Sequence, residues 1–274
     1  MLAGQELFWD KSLSLSERLY CHLLGIPIVG LRIRLRRIKK LLPQTAANIL
    51  DAGCGRGIFA RFLAAKFPMA NVTGVDSDTA LQERNRNIAR AIDIESRCDF
   101  VVADLTRYQP GRKFDLILSV DNLEHIEDDI EVIHKLASML AEGGTMIVHV
   151  PHYYRRWPVF RWTENFDVPG HVRPGYHLAE IRSRIEDTGL TIQAAGYSYG
   201  LLENLSNNIS YAVTGAEERN KYLYALLFPL LNLIAWFGQW SRPDFGAGIW
   251  IRAYQGTQQG TTALMEDDVE SKLT

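Results

Sequence analysis

The stretch Leu50-Asp51-Ala52-Gly53-Cys54-Gly55-Arg56-Gly57-Ile58-Phe59-Ala60 decides the fold. It leaves the apolar run AANILDA (46–52), passes three glycines at alternate positions and enters the apolar-periodic IFARFLAAKF (58–67). A short apolar strand feeding an amphipathic helix through a glycine turn opens a βαβ unit. Gly53, Gly55 and Gly57 allow a sharp turn and a close approach of backbone to ligand. The N-terminus of the following helix offers unpaired N–H groups to an anionic group. A dinucleotide fingerprint would need glycine at 58, where this chain has Ile58. Asp51, just before the glycines, would repel a pyrophosphate and pair with an ammonium group.

The same alternation continues outward. NVTGVD (71–76), CDFVVADL (98–105), KFDLILSV (113–120) and TMIVHVP (145–151) read as strands. Between them, TALQERNRNIARAI and DDIEVIHKLASMLAEGG carry apolar residues at helical spacing, the latter with a helix stop expected at Gly143-Gly144. Further on, HLAEIRSRIEDTGL reads as a helix stopped by Gly189, and LTIQAAGYSY and AGIWIRAYQ as two more strands. Strands buried on both faces and separated by helices predict a parallel, doubly wound α/β sheet.

Two further acids fall at strand ends. Asp76 closes the second strand, where a carboxylate takes both hydroxyls of a ribose. Asp104 ends the third, placed to accept from an exocyclic amino group such as that of adenine. Each alone is also explained as a strand-end cap or turn. Together with the glycine loop, the three acids fit a ligand carrying an amine, a ribose diol and an adenine.

With LDAGCGRG, GVDSD, VVADL, FDLILSVDNLEHIED and LAEGGTMIVHVP in that order, residues 47–151 resemble a class I S-adenosylmethionine-dependent methyltransferase of the small-molecule group. The resemblance implies a Rossmann-like sheet of seven strands, the last antiparallel, with S-adenosyl-L-methionine as cofactor. It implies that Asp51, Gly53, Gly55 and Gly57 hold the methionine part and Asp76 the ribose. Ser77 would lie beside the adenosine, Asp104 and Leu105 would flank the adenine, and Val120 to Asn122 would close over the sulfonium end. His125, in the L-E-H turn, is a structural feature of such proteins.

Methyl transfer needs alignment of the acceptor more than acid–base help, and a base only where the acceptor loses a proton. Candidates lie just past the fifth strand. His152 is the first choice, with His149 and Tyr153 beside it; a core role for His149 and a plain loop role for His152 are the competing readings. Trp157, His171 and Arg173 are candidate acceptor contacts, with Arg173 able to pair an acid. No HxxxH and no cysteine cluster is present, so no metal is expected.

The segments outside the shared core define the acceptor: an N-terminal helical cap (1–46), two substrate-cover insertions (152–176 and 200–246) within the 47–254 domain, and a flexible tail (255–274). Residues 1–46 carry a charge of +5, from eight basic and three acidic residues, although the whole chain is at −2. LRIRLRRIKKLL (31–42) reads either as a basic amphipathic helix for an anionic membrane or as a helix packed on the domain with its basic residues solvated. YLYALLFPLLNLIAWFG (222–238) has no charge but is short for a bilayer span and contains Pro229. It reads as a pocket lid, a monotopic membrane contact or a span. The acceptor is therefore expected to be a hydrophobic small molecule or a lipid-linked sugar, methylated on oxygen. N- or C-methylation, aminopropyl transfer and a cofactor-binding module without transfer are the alternatives.

Composition excludes disorder, collagen-like repeats and a disulfide scaffold, since 47% of residues are hydrophobic and only three are cysteine. Nucleic acid is not an expected partner. A cytoplasmic protein, with peripheral contact at the inner face of a membrane as one option, is the expectation; oligomeric state is not legible.

Overall fold

The computed structural model describes residues 3–154, 170–214 and 220–256. Two N-terminal helices, α1 (Leu15–Leu24) and α2 (Val29–Leu41), precede β1 (Asn48–Ala52). Then follow α3 (Ile58–Lys66), β2 (Asn71–Asp76), α4 (Thr79–Ala91), β3 (Cys98–Val102), β4 (Phe114–Val120) and α5 (Asp129–Ser138). The chain continues through β5 (Leu140–Pro151), α6 (Leu178–Glu186), β6 (Thr191–Ser198), α7 (Leu201–Thr214), α8 (Lys221–Gly238) and β7 (Gly248–Tyr254).

The seven strands form one sheet in the order β3-β2-β1-β4-β5-β7-β6. Strands β1 to β5 are parallel, and β7 runs antiparallel between β5 and β6. The chain winds outward from β1 to β3 and then returns to lay β4 on the other side of β1. The carboxyl ends of β1 and β4 therefore part at a topological switch point, where sheets of this kind open a crevice.

Side chains alternate across the sheet with the two-residue period of a strand. Ile49, Leu116, Leu118 and Ile147 enter the core shared with α2, α3 and α4. Their neighbours Leu50, Ile117, Met146 and Val148 enter the opposite core with α5 and α6. All eight are essentially without solvent exposure, and each buried aliphatic side chain of this size contributes about 1.5–3 kcal/mol. Cys21, Cys54 and Cys98 are buried and unbridged.

Local signals set several boundaries. Ser14 and Glu17 form a reciprocal capping box at the start of α1, the Glu17 carboxylate accepting from the Ser14 N–H at 2.9 Å. Gly189, at φ +84°, follows α6 as expected. The stop expected at Gly143-Gly144 is different: α5 already ends at Ser138, and β5 begins at Leu140. Gly143 takes φ +73° and donates to the Gln255 carbonyl, while the β4–β5 register shifts opposite Phe114. A Cβ at 144 would lie 3.0 Å from the Phe114 carbonyl oxygen. The glycine pair serves a strand irregularity rather than a helix end.

The basic residues of α2 also depart from both readings of that helix. Arg37 is buried and pairs with buried Glu203 of α7 at 2.8 Å, and also donates to the Ser241 carbonyl. Arg36 donates to Asn232 of α8 at 3.0 Å, and Arg34 pairs with Asp121. Of the basic residues in this helix only Lys39 and Lys40 are exposed. The guanidinium groups tie α2 to its neighbours because Arg alone carries enough donors to satisfy carbonyls and a carboxylate at once. α7 and α8 pack on each other and on α2, and Tyr199 donates to the Gly30 carbonyl at 2.9 Å.

Candidate active site

The turn after β1 is held by backbone bonds: the Gly53 and Cys54 N–H groups both donate to the Val75 carbonyl, at 2.8 and 2.9 Å. Gly53, Gly55 and Gly57 have φ of +74°, +46° and +67°, the left-handed region in which a side chain is disfavoured. A Cβ at 53 would meet the Asn122 amide at 2.1 Å, and one at 57 would meet Arg61 and Asn85 at 2.7 Å. At Gly55 the nearest atom to such a Cβ is an Asp76 oxygen 4.0 Å away, so that position faces open space.

Gln82 and Asn85 brace the loop from beneath, and both are fully buried. Asn85 donates to the Gly55 carbonyl at 2.7 Å, and Gln82 to the carbonyls of Gly74 and Val101. Sequence reasoning passed over both. Their signal is two amides one helical turn apart on the inward face of α4, where aliphatic residues would ordinarily sit.

Asp76 accepts the Gly55 N–H at 2.7 Å on one oxygen and the Asp78 N–H at 3.0 Å on the other. Asp104 is exposed; the Thr106 hydroxyl and N–H, at 2.8 and 2.9 Å, hold its carboxyl below the usual range. These side chains share a cleft of about 720 Å³ with Gly53, Gly55, Ser77, Leu105, Asp121, Asn122 and His125. Asp76, Asp104, Asp121, Glu127 and Asp128 put five carboxylates on its wall, with no Lys or Arg among the described lining residues. Such a wall disfavours phosphate and favours a cationic ligand.

Asp51 lies elsewhere. It is buried beneath the loop, accepts the N–H of Ala60 in the first turn of α3, and has its other oxygen, Oδ2, without a hydrogen-bond partner among the described residues. Burial pushes its carboxyl up to about 7, with the charge of Asp76 adding to the effect. Val120 is the buried last residue of β4 and is not among the cleft residues.

Asp121, between the expected Val120 and Asn122, is the residue at the strand end that sequence reasoning gave no role of its own. It stands at φ +45°, unusual for a residue with a side chain. One carboxylate oxygen meets His149 Nδ1 at 2.6 Å and the other pairs with Arg34. His149 Nε2 lies 2.8 Å from Ser198 Oγ. His149 and Ser198 are buried, so this relay ends in the core and presents only Asp121 to the cleft. Beside the carboxylate, Nδ1 carries a proton and donates to Asp121.

The other expected residues lie apart from the cleft wall. His152 is buried among Phe245, Tyr197 and Tyr154, with ring centroids 4.7, 5.3 and 5.7 Å away. Burial, together with neighbouring His177, pushes its imidazole down to about 4, so it is neutral at pH 7 and a weak base. Tyr153 stacks on His177 at 4.8 Å. Arg173 pairs with Asp129 and donates to the Glu127 carbonyl at 2.8 Å, so its acid partner belongs to the protein. His171 packs edge-on against His125 at 4.6 Å. Although no metal is expected from sequence, ligand atoms of Glu124, His125 and His171 lie within 4.8 Å of one another. Trp157 falls outside the described residues.

A family model described as a methyltransferase domain matches residues 31–195. The chain belongs to the methyltransferase-domain family. A trans-aconitate 2-methyltransferase of Streptomyces avermitilis is 32% identical over 149 residues, which cover 54% of this chain and 51% of that relative. A malonyl-[acyl-carrier protein] O-methyltransferase of Ilyobacter polytropus is 33% identical over 100 residues, or 36% of this chain and 38% of the relative. The alignments thus span about half, or less, of the curated relatives they match. Among solved structures, an O-methyltransferase of a Brevibacillus brevis polyketide multienzyme, crystallised with S-adenosyl-L-homocysteine, matches at a TM-score of 0.58. It is 14% identical, over 97% of this chain and 84% of that one. The [4+2]-cyclase SpnF matches at 0.55, with 17% identity over 82% of both chains. At such identities these two likenesses show the fold alone.

S-adenosylmethionine is the cofactor of the methyltransferase domain, and the acidic cleft fits it: a sulfonium and an ammonium are cations, and the ligand carries no phosphate. Gly53 and Gly55 would bring backbone against the amino-acid end, Asp76 would take the ribose, and Asp104 with Leu105 would flank the base.

Proposed function

We propose that this methyltransferase domain transfers a methyl group to an oxygen of a small, hydrophobic acceptor. The observation that carries this reading is the convergence of the glycine turn, Asp76, Asp104 and Asn122 on one cleft with an acidic wall. When bound, the cofactor supplies an electrophilic methyl group on a sulfonium. The chain's own part is to hold that group in line with the acceptor and to keep water away, and orientation of this kind contributes several kcal/mol, about 7 or more in favourable cases. The bound cofactor would supply the methyl group and keep the carbon–sulfur electron pair on its sulfur, while any acceptor proton would pass to solvent or to a nearby base.

Asp121 is better placed than His152 for that last task, because it lies half-buried on the cleft wall while His152 is buried away from it. The oxygen preference is supported by the likeness to the malonyl-[acyl-carrier protein] O-methyltransferase. The hydrophobic acceptor, lipid-linked sugars included, is supported by the apolar ring cluster of His152, Tyr154, Tyr197 and Phe245 at the carboxyl end of β5. The test is incubation with methyl-labelled cofactor and a total cell extract, followed by separation into polar and organic fractions. Label in the organic fraction, released by the chemistry of an ether or ester, supports the reading. Label confined to polar amines, or no turnover by a protein that still binds the cofactor, overturns it.

A further inference from the structure

The outer surface of α8 is apolar although its inner surface is already occupied. Tyr224, Phe228, Leu231 and Ala235 are buried against the protein. On the opposite side Leu226, Leu230, Leu233, Phe237 and Trp240 recur at intervals of three and four and are exposed, Leu226 by 76%. A helix at a water-facing surface places polar residues there, yet residues 222–238 contain no charged residue at all. Helix α1 runs beside it, joined by Tyr20, which donates to the Ala225 carbonyl at 2.6 Å. It carries its own exposed stripe of Leu15, Leu19 and Leu23. Large contiguous apolar patches on a soluble surface mark interaction sites.

The charges on α8 and its immediate ends are basic, and one of them, Lys221, pairs with the exposed Glu17 of α1 at 3.3 Å. Residues 220–243 contain Lys221 and Arg242 and no acid. Lys39 and Lys40, exposed at the end of α2, lie next to the far end of α8, where Lys40 donates to the Gln239 carbonyl. Trp236, Phe237 and Trp240 form a ring cluster at that same end, with the two indoles 4.5 Å apart. Apolar side chains, indoles and a basic rim on one in-plane helix match the interface of an anionic bilayer.

The helix is not free to insert lengthwise. Its inner side is fixed by Ser206, which donates to the Leu231 carbonyl at 2.6 Å, and by Arg36 on Asn232. It also contains Pro229. We propose that the outer face of α8, extended by the leucine stripe of α1 and the basic rim, docks in the plane of an anionic lipid surface. This goes beyond methyl transfer and holds whether or not the acceptor is a lipid.

The full chain should sediment with vesicles of phosphatidylcholine containing phosphatidylglycerol, and much less with phosphatidylcholine alone. Its tryptophan emission should shift to the blue on binding. Leu226→Glu with Leu230→Glu should lower the bound fraction by about tenfold, and Lys39→Glu with Lys40→Glu should weaken binding to the anionic vesicles selectively. Retained cofactor binding shows that a variant is folded, and Leu226→Gln with Leu230→Gln replaces the charged pair if that protein is not. Failure of the wild type to bind either vesicle overturns the inference. So does a dimer in sedimentation equilibrium that the α8 variants dissociate while vesicles remain unbound, which would make a second copy of the chain the occupant.

Discussion

His149 Nδ1 lies 2.6 Å from Asp121 Oδ1, and together with the Asp121 N–H, which donates to the His149 carbonyl at 2.9 Å, this bond connects the buried carboxyl end of β5 to the wall of the cofactor cleft. His149→Ala leaves Ser198 and one oxygen of Asp121 without their partner. The expected cost is about 1–3 kcal/mol of stability, read from the denaturant midpoint, together with weaker cofactor binding because Asp121 loses its fixed position. A midpoint equal to that of the wild type would show that the imidazole is replaceable by water.

Asp76 holds two N–H groups of the protein and is the proposed partner of the ribose. Asp76→Ala should weaken cofactor binding by about 1–3 kcal/mol through the loss of charge-assisted hydrogen bonds. Titration calorimetry checks this, with circular dichroism to confirm the fold. Wild-type affinity in the folded variant removes Asp76 from the ribose site.

The buried carboxyl of Asp51 makes stability depend on pH in a defined direction. Its folded pKa of about 7 lies above the ordinary 3.8, so the folded state holds the proton more tightly than the unfolded chain does. Stability from this group is therefore full below about pH 4 and is lost as pH rises toward 7. Asp51→Asn keeps an acceptor for the Ala60 N–H and should flatten that part of the curve, making the cofactor-free protein more stable at pH 8. His152 acts in the opposite sense: its pKa is pushed down from 6.5 to about 4, so its contribution is lost as pH falls through that window. Thermal melts of the wild type and of Asp51→Asn between pH 4 and 8 separate the two.

Removing one side of a buried ion pair is costlier than the pair is worth, since the other charge is stranded. Glu203 is fully buried against Arg37. Glu203→Ala should destabilise the protein by about 3–5 kcal/mol and loosen α7 from α2, detectable as faster amide exchange in both helices. Replacement of both residues by apolar ones should recover much of the loss.

The sheet was legible because strands buried on both faces and a glycine turn leave few alternatives, and Leu50 and Ile49 needed only their alternation to be assigned to opposite cores. The cleft residues Asp76 and Asp104 were legible only as a set with the glycine loop, because an acid at a strand end also serves as a cap or turn, as the bonds to Asp78 and Thr106 show. Asp121 carried no such sign, because its role depends on Arg34 and His149, 87 and 28 residues away. The arginines of α2 were misread as a solvated face because composition shows a charge and not its partner. Helix α8 is apolar on both sides, so its sequence shows no preferred face; only the position of α2 and α7 tells which side is covered.

Strand β7 lies between β5 and β6 yet is the last of the seven in the chain. On a ribosome making the protein from its N-terminus, β6 has no place in the sheet until residues 248–254 have emerged. The growing chain must keep the open edge of β5 and both edges of β6 from pairing with other molecules in the meantime. A nascent chain halted at Ala247 would hold a nearly complete cofactor cleft beside an unfinished sheet, so ligand binding and resistance to aggregation would arise at different moments of synthesis.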